Sequence, residues 1–253
     1  MTDDLKEKAK RLRLYHMVSR WSEYAQKPWV KPLLNEEEAE RVRRNVEKRL
    51  KDAKVGEFKP MSEFDWAWPK RIDRELVEEL FNLQFLEDCA NVVLIGPNGI
   101  GKSMIAQNIA HAALMAGTAA RFVKASDMLD ELLAADEAYK RKACLKKYSQ
   151  VDLLIIDEVG YLSYDSRYAD LLYEVVNARY KQKSTIVTTN KEFQQWGTIF
   201  PNAACVVTLI DRLVHKAEIV AIQGDSYRKK EAQERKAQRE KERNAKRRKK
   251  NDD

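Results

Sequence analysis

Gly96-Pro97-Asn98-Gly99-Ile100-Gly101-Lys102-Ser103 follow the β-forming run Val92-Val93-Leu94-Ile95 and open a stretch of helical character. Glycines at three of these positions let successive backbone N–H groups converge on one anion, and the N-terminus of the following helix adds its positive end. Strand, loop and helix in this order are what a phosphate-binding P-loop requires. Lys102 is then placed to reach the β- and γ-phosphates of a nucleoside triphosphate. The Ser103 hydroxyl is placed to ligate Mg²⁺, a hard cation that prefers oxygen and arrives with the phosphates. Met104 leads into the helix, so the nucleotide-binding set runs from Gly96 to Met104.

Fifty-five residues beyond Lys102, Asp152-Leu153-Leu154-Ile155-Ile156 runs into Asp157-Glu158. An unbroken apolar run of this length fits a strand buried on both faces of a parallel sheet. Ligands of open α/β sheets lie beyond the carboxyl ends of the strands. Asp157 is therefore assigned to the metal, and Glu158 to the base that orients the attacking water.

The elements that position these groups follow from pattern. With 253 residues and 44% apolar composition, the chain has room for one large α/β domain and a small extra module. Strands are predicted around Arg121-Phe122-Val123, at Ser184-Thr185-Ile186-Val187-Thr188-Thr189 closed by Asn190, and from Ala217 to Ile222. Helices are predicted between them: one ending near Gly117, one capped by Ser126, and one through Leu171, Leu172, Val175 and Val176. Such alternation builds a parallel sheet with right-handed crossovers. Near the start, Leu5, Ala9, Leu12 and His16, with Leu14, Val18 and Trp21 beside them, predict one amphipathic helix. Pro28 and Pro32 interrupt it, and Asn35 followed by Glu36, Glu37 and Glu38 predicts the N-cap of a second helix towards Gly56. The aromatic stretch Lys59 to Arg74 reads as a linker that either closes over a base or packs into the core.

No apolar stretch approaches the roughly 18 to 20 residues of a membrane span, and Met1-Thr2-Asp3-Asp4-Leu5-Lys6 is unlike a secretory signal. A cytoplasmic protein without a membrane partner is expected. Cys89, Cys144 and Cys205 lack the spacing of a zinc site or the even count of a disulfide framework, and read as small core hydrophobes. The net charge of +7 is unevenly spread. Residues 228–253 hold thirteen Lys or Arg against six Asp or Glu, residues 1–60 carry a surplus of five positive charges, and residues 61–227 a deficit of five. Basic ends flanking an acidic centre suit a nucleic-acid partner, because neutralising phosphates releases counterions whatever the sequence. Lys140, Arg141, Lys142, Lys146 and Lys147, together with Arg43 and Arg44, are the candidate phosphate contacts. Three spans result: a helical N-terminal module for DNA or partner binding at 1–58, the ATPase domain at 59–228, and a charged, flexible tail at 229–253.

Gly96 to Ser103, Ile155 to Leu162, Thr188-Thr189-Asn190, Trp196-Gly197, Asp211-Arg212-Leu213 and Gly224-Asp225-Ser226-Tyr227-Arg228 together resemble the IstB family, the helper ATPases of bacterial insertion sequences related to DnaC-type helicase loaders. The resemblance implies an AAA+ fold: a central parallel five-stranded sheet flanked by helices. It implies that Asn190 is the sensor holding the attacking water, and that Arg212 is an arginine finger acting in trans on a neighbour's site. It further implies a homo-oligomer, ring or spiral, that uses ATP and Mg²⁺ to assemble on double-stranded DNA, remodels it, and recruits and stimulates a cognate transposase. A helical lid is not evident after the last strand, where Arg228 stands in the place of a lid arginine. A helicase loader of the DnaC kind shares this engine and differs in client. A small-molecule P-loop kinase would need no arginine finger, and a non-catalytic scaffold would not need Glu158.

Overall fold

The structure is a computed structural model that describes residues 2–161, 166–200 and 204–251; Leu162, one of the residues carrying the resemblance, lies outside them. The chain divides into two compact units, Met1–Asp52 and Ala53–Asp253. Residues 53–58 thus belong with the second unit rather than the first. Ala53 is fully buried, and the Gln107 amide donates to the carbonyls of Val55 (2.9 Å) and Glu57 (3.3 Å).

The first unit is helical: α1 (Thr2–Arg11), α2 (Tyr15–Ser19), α3 (Trp21–Tyr24) and α4 (Val30–Ala53). The single amphipathic helix expected through Trp21 is broken, because Arg13 adopts a left-handed conformation (φ 55°). Ala9, Leu12, Val30 and Leu34 form its core. The second helix starts at Val30, six residues before the Glu36 that would follow an Asn35 cap. Pro32 lies in the first turn of α4, where a missing N–H costs nothing, so Asn35 is no cap. Its side chain accepts instead from Lys8 Nζ (2.8 Å).

In the second unit, α5 (Arg74–Leu80) and α6 (Gln84–Glu87) precede β1 (Asn91–Ile95). Then follow α7 (Lys102–Met115), β2 (Ala120–Lys124), α8 (Ala125–Leu133), α9 (Ala138–Ser149), β3 (Leu153–Val159), α10 (Ser166–Arg179), β4 (Ser184–Thr189), α11 (Trp196–Ile199), α12 (Val206–Val214), β5 (Ala217–Ala221) and α13 (Tyr227–Asn251). The sheet order is β2-β3-β4-β1-β5 and every pairing is parallel. All five predicted strands are present. The three inner strands are buried on both faces, which is why they read as continuous apolar or β-branched runs. The α8 helix begins at Ala125 with Lys124 at its N-cap position, and the Ser126 hydroxyl meets Asp127 (3.3 Å) instead of capping.

Beyond the last strand the tail expected to be a flexible arm is one helix of 25 residues. It contains neither Gly nor Pro and is composed mostly of Ala, Glu, Gln, Lys and Arg, all strong helix formers. Basic residues crowd its C-terminal end, where the helix dipole favours them.

Candidate functional site

The P-loop begins where β1 ends, and Gly96 N–H still donates to Thr189 O of β4 (3.1 Å). Gly101 has φ 112°, and a Cβ there would sit 2.5 Å from the Phe64 ring. Only glycine fits both the backbone and the space. Lys102 opens α7, is 8% exposed, and donates to the carbonyls of Gly96 (2.8 Å) and Pro97 (2.9 Å). Burial pushes its ammonium down to about 8, opposed by the negative charge of Asp157.

Asp157 and Glu158 lie where β3 loses its register with β4, between the pairs Ile156–Val187 and Val159–Thr189. Asp157 is 4% exposed and its Oδ1 accepts from Ser103 Oγ (2.9 Å) and Thr188 Oγ1 (2.5 Å). Burial raises its pKa, and these two hydrogen bonds pull it back down. The Glu158 N–H donates to the same Thr188 Oγ1 (3.0 Å). Glu158 itself is left-handed (φ 63°), an arrangement costly for a non-glycine residue. The bulge and this conformation turn two consecutive carboxylates away from strand alternation, so both reach the P-loop end of the sheet. Glu158 forms an ion pair with Lys124 at the end of β2 (3.1 Å). Neither Thr188 nor Lys124 was assigned from sequence, because their partners lie about 30 residues away and no local pattern marks them.

Asn190 follows β4 and shares a small cleft with Asn98, Lys102, Ser103, Glu158 and Arg228. Its Oδ1 is buried with no hydrogen-bond partner among the described residues, an unsatisfied acceptor in a residue that lines a polar cleft. A larger cavity of about 410 Å³ is lined by the P-loop, both acids, the linker residues Phe64, Trp68 and Pro69, and Tyr227 and Arg228. The linker contributes both to the core and to the lining of this cavity. Phe64 is buried against Gly101 and Trp66, while Trp68 faces the cavity and donates from Nε1 to Asp225 O (2.8 Å). Lys230 joins them, paired with Asp65 (3.0 Å) and lying 4.6 Å from the centre of the Trp68 ring.

Against this geometry stand the comparisons. Residues 7–235 match the family described as IstB-like ATP binding protein. The chain belongs to that family. It is 32% identical over 240 residues to the ATP-binding protein of insertion sequence IS5376 from Geobacillus stearothermophilus, covering 91% of this chain and 96% of the relative. The corresponding protein of IS232 from Bacillus thuringiensis subsp. berliner is 37% identical over 178 residues, 69% of this chain and 71% of that one. Among solved structures, DnaI aligns with a TM-score of 0.52 at 18% identity, over 66% of this chain and 89% of that chain. The replication initiator DnaA bound to AMPPCP and single-stranded DNA aligns at 0.51 and 19%, over 64% and 52%. These likenesses give the fold, shared with DnaI and DnaA, and the family makes this IstB-like chain an ATP-binding protein.

The remaining expected residues of the IstB-like chain lie outside the cavity. Arg212 is in the last turn of α12, its guanidinium 4.8 Å from the Tyr173 ring and hydrogen-bonded to Asn177, both on α10. On α9, Lys140 pairs with Glu137, Arg141 with Glu174 and Lys147 with Glu131. Lys142 and Lys146 are exposed. Arg43 and Arg44 on α4 both pair with Glu40, and Arg43 also with Glu47. Among the described residues no helix is long and apolar enough to cross a membrane.

Proposed function

We propose that this chain is an ATP-dependent, DNA-binding helper for transposition, which oligomerises on target duplex, remodels it, and recruits and stimulates a transposase. The observation that carries this reading is the pre-set pair Asp157–Glu158 beside a P-loop, in a chain whose relatives are ATP-binding proteins of insertion sequences. Residues Gly96 to Met104 cradle the triphosphate, with Lys102 turning from its loop carbonyls to the phosphates.

The residues fit Mg²⁺: Ser103 Oγ and Asp157 Oδ1 are hard oxygen donors 2.9 Å apart. Mg²⁺ shares its coordination with phosphate and water, so two protein oxygens suffice. The bound cation would neutralise charge on the phosphates. Glu158 takes the proton of the attacking water, while the unpartnered Asn190 Oδ1 holds that water in line. Lys124, paired with Glu158, holds that carboxylate in place until it turns to the water. Arg212 leaves Tyr173 to reach a neighbouring protomer's site in a ring or spiral. The first 58 residues and α9 supply contacts to DNA and to the transposase; Lys142 and Lys146 are the α9 side chains best placed for phosphates.

Separating binding from hydrolysis tests the reading. Glu158→Gln should bind ATP within a few-fold of the parent while hydrolysis falls ~10²-fold or more, and its complex with duplex DNA should persist when excess ATP is present. Turnover at the parental rate would remove Glu158 from its role. A pull-down with transposase and with replicative helicase identifies the client.

A further inference from the structure

The C-terminal helix α13 is long and has no apolar face. After Tyr227 its only apolar residues are Ala232, Ala237 and Ala245, and residues 232–240 are all exposed. A helix with this composition has nothing to insert into a protein groove, and it lacks the apolar stripe that a membrane-surface helix buries. What it carries is charge, in a pattern. Arg228, Arg235, Arg239, Arg243, Lys246 and Lys250 are separated by seven, four, four, three and four residues. At 3.6 residues per turn these six fall within an arc of about 80°, along about 33 Å of helix. None of the helix's acidic residues, Glu231, Glu234, Glu240 and Glu242, falls within that arc. A solvated face with no partner normally intersperses both signs, as Arg43 and Arg44 do with Glu40 and Glu47 on α4.

The base of the helix is fastened at the nucleotide cavity. Tyr227 N–H donates to Gly99 O of the P-loop (2.9 Å), and Lys230, on the face opposite the stripe, is tied to Asp65 and Trp68. Arg228, the first residue of the stripe, lines the cavity beside Gly99 and Lys102.

We propose that this stripe tracks the phosphates of duplex DNA, making α13 the arm by which the ATPase unit grips its polymer, rooted directly on the P-loop. The inference rests on the DNA-binding reading above and adds which element holds the duplex. A shift of the P-loop around a nucleotide passes through the Tyr227–Gly99 hydrogen bond to the whole stripe, so grip and nucleotide state are coupled. Contacts of this type position the protein without reading sequence.

Two triple variants of the full chain with the same change in charge test it: Arg239→Gln/Arg243→Gln/Lys246→Gln on the stripe, and Lys241→Gln/Arg248→Gln/Lys249→Gln off it. Affinity for a labelled duplex is measured by anisotropy across a salt series with ATP present. The stripe triple should lose ~10-fold or more in affinity, and its salt slope should fall by about 3, since each lost phosphate contact removes about 0.9. The off-stripe triple should bind within a few-fold of the parent, and both should hydrolyse ATP normally without DNA. Equal losses in the two triples would reduce the helix to a diffuse cation and overturn the proposal. No loss in either, with a parent that binds duplex, would overturn it and leave the DNA-binding reading standing. A parent that ignores duplex with and without ATP would sink both. Tighter binding to phosphatidylserine vesicles than to duplex would assign the stripe to a lipid surface instead.

Discussion

The nucleotide site and the basic face of α9 are both clusters of charge, yet they are built in opposite ways. In the site Lys102 and Asp157 are buried, and each is held by fixed polar groups. Lys102 is fixed by two loop carbonyls, and Asp157 by hydroxyls from α7 and β4. On α9 the charges are solvated, and three of the five are spent on neighbouring glutamates. The first arrangement fixes geometry at the cost of desolvation, as catalysis needs. The second fixes little, and each exposed pair contributes only about 0 to 1 kcal/mol. It suits a sliding, sequence-blind contact better than a reaction.

The sharpest way to break this contrast is Lys102→Ala. Removing the buried ammonium should abolish binding of a fluorescent ATP analogue, a loss of ~10²-fold or more in affinity, and with it all turnover. Retained binding would mean that the backbone cradle alone suffices. Next comes Arg212→Ala, which should leave nucleotide affinity unchanged while lowering DNA-stimulated kcat by ~10³ if the residue acts across protomers. Unchanged stimulated hydrolysis would leave Arg212 as a side chain stacked on Tyr173 and nothing more. A smaller effect is expected from Thr188→Val, which keeps the shape and deletes the hydroxyl that serves both acids. The unpaired Glu158 N–H and the weakened hold on Asp157 should cost about 1–3 kcal/mol, read as a drop in kcat with KM little changed. Thr188→Ser should restore the rate, which a purely packing role would not allow. The mildest is Lys142→Gln/Lys146→Gln: a few-fold loss of duplex affinity and a salt slope lower by about 2, with hydrolysis untouched.

What could be read in the sequence divides along the same line. The P-loop and the acid-ended strand were legible because their chemistry is local: the residue types stand in order within eight and seven positions. The central strands were legible because burial on both faces favours unbroken apolar or β-branched runs. Thr188 and Lys124 were not, since a threonine in a β-branched strand and a lysine at a strand end look ordinary until folding brings them to Asp157 and Glu158. Arg179 is a further case. Its buried guanidinium donates to the carbonyls of Tyr148, Val151 and Ser184, and burial lowers it to about 10. Nothing near it in sequence announces that it pins α10 to the end of α9, the turn before β3, and β4. Local rules also misplaced boundaries. Asn35 has the look of a cap, but Pro32 fits the first turn of a helix already under way. The tail lacks apolar residues, which argued for disorder, while its propensities argued for helix and won.

Arg71 and Gln223 exchange two backbone hydrogen bonds, 3.2 and 2.9 Å, as an isolated antiparallel bridge. The segment leading towards β1 is thereby buckled to the one leaving β5. Because main-chain groups alone make this tie, exchanging either side chain leaves it standing, and only a change to the backbone itself, such as proline at either position, would open it.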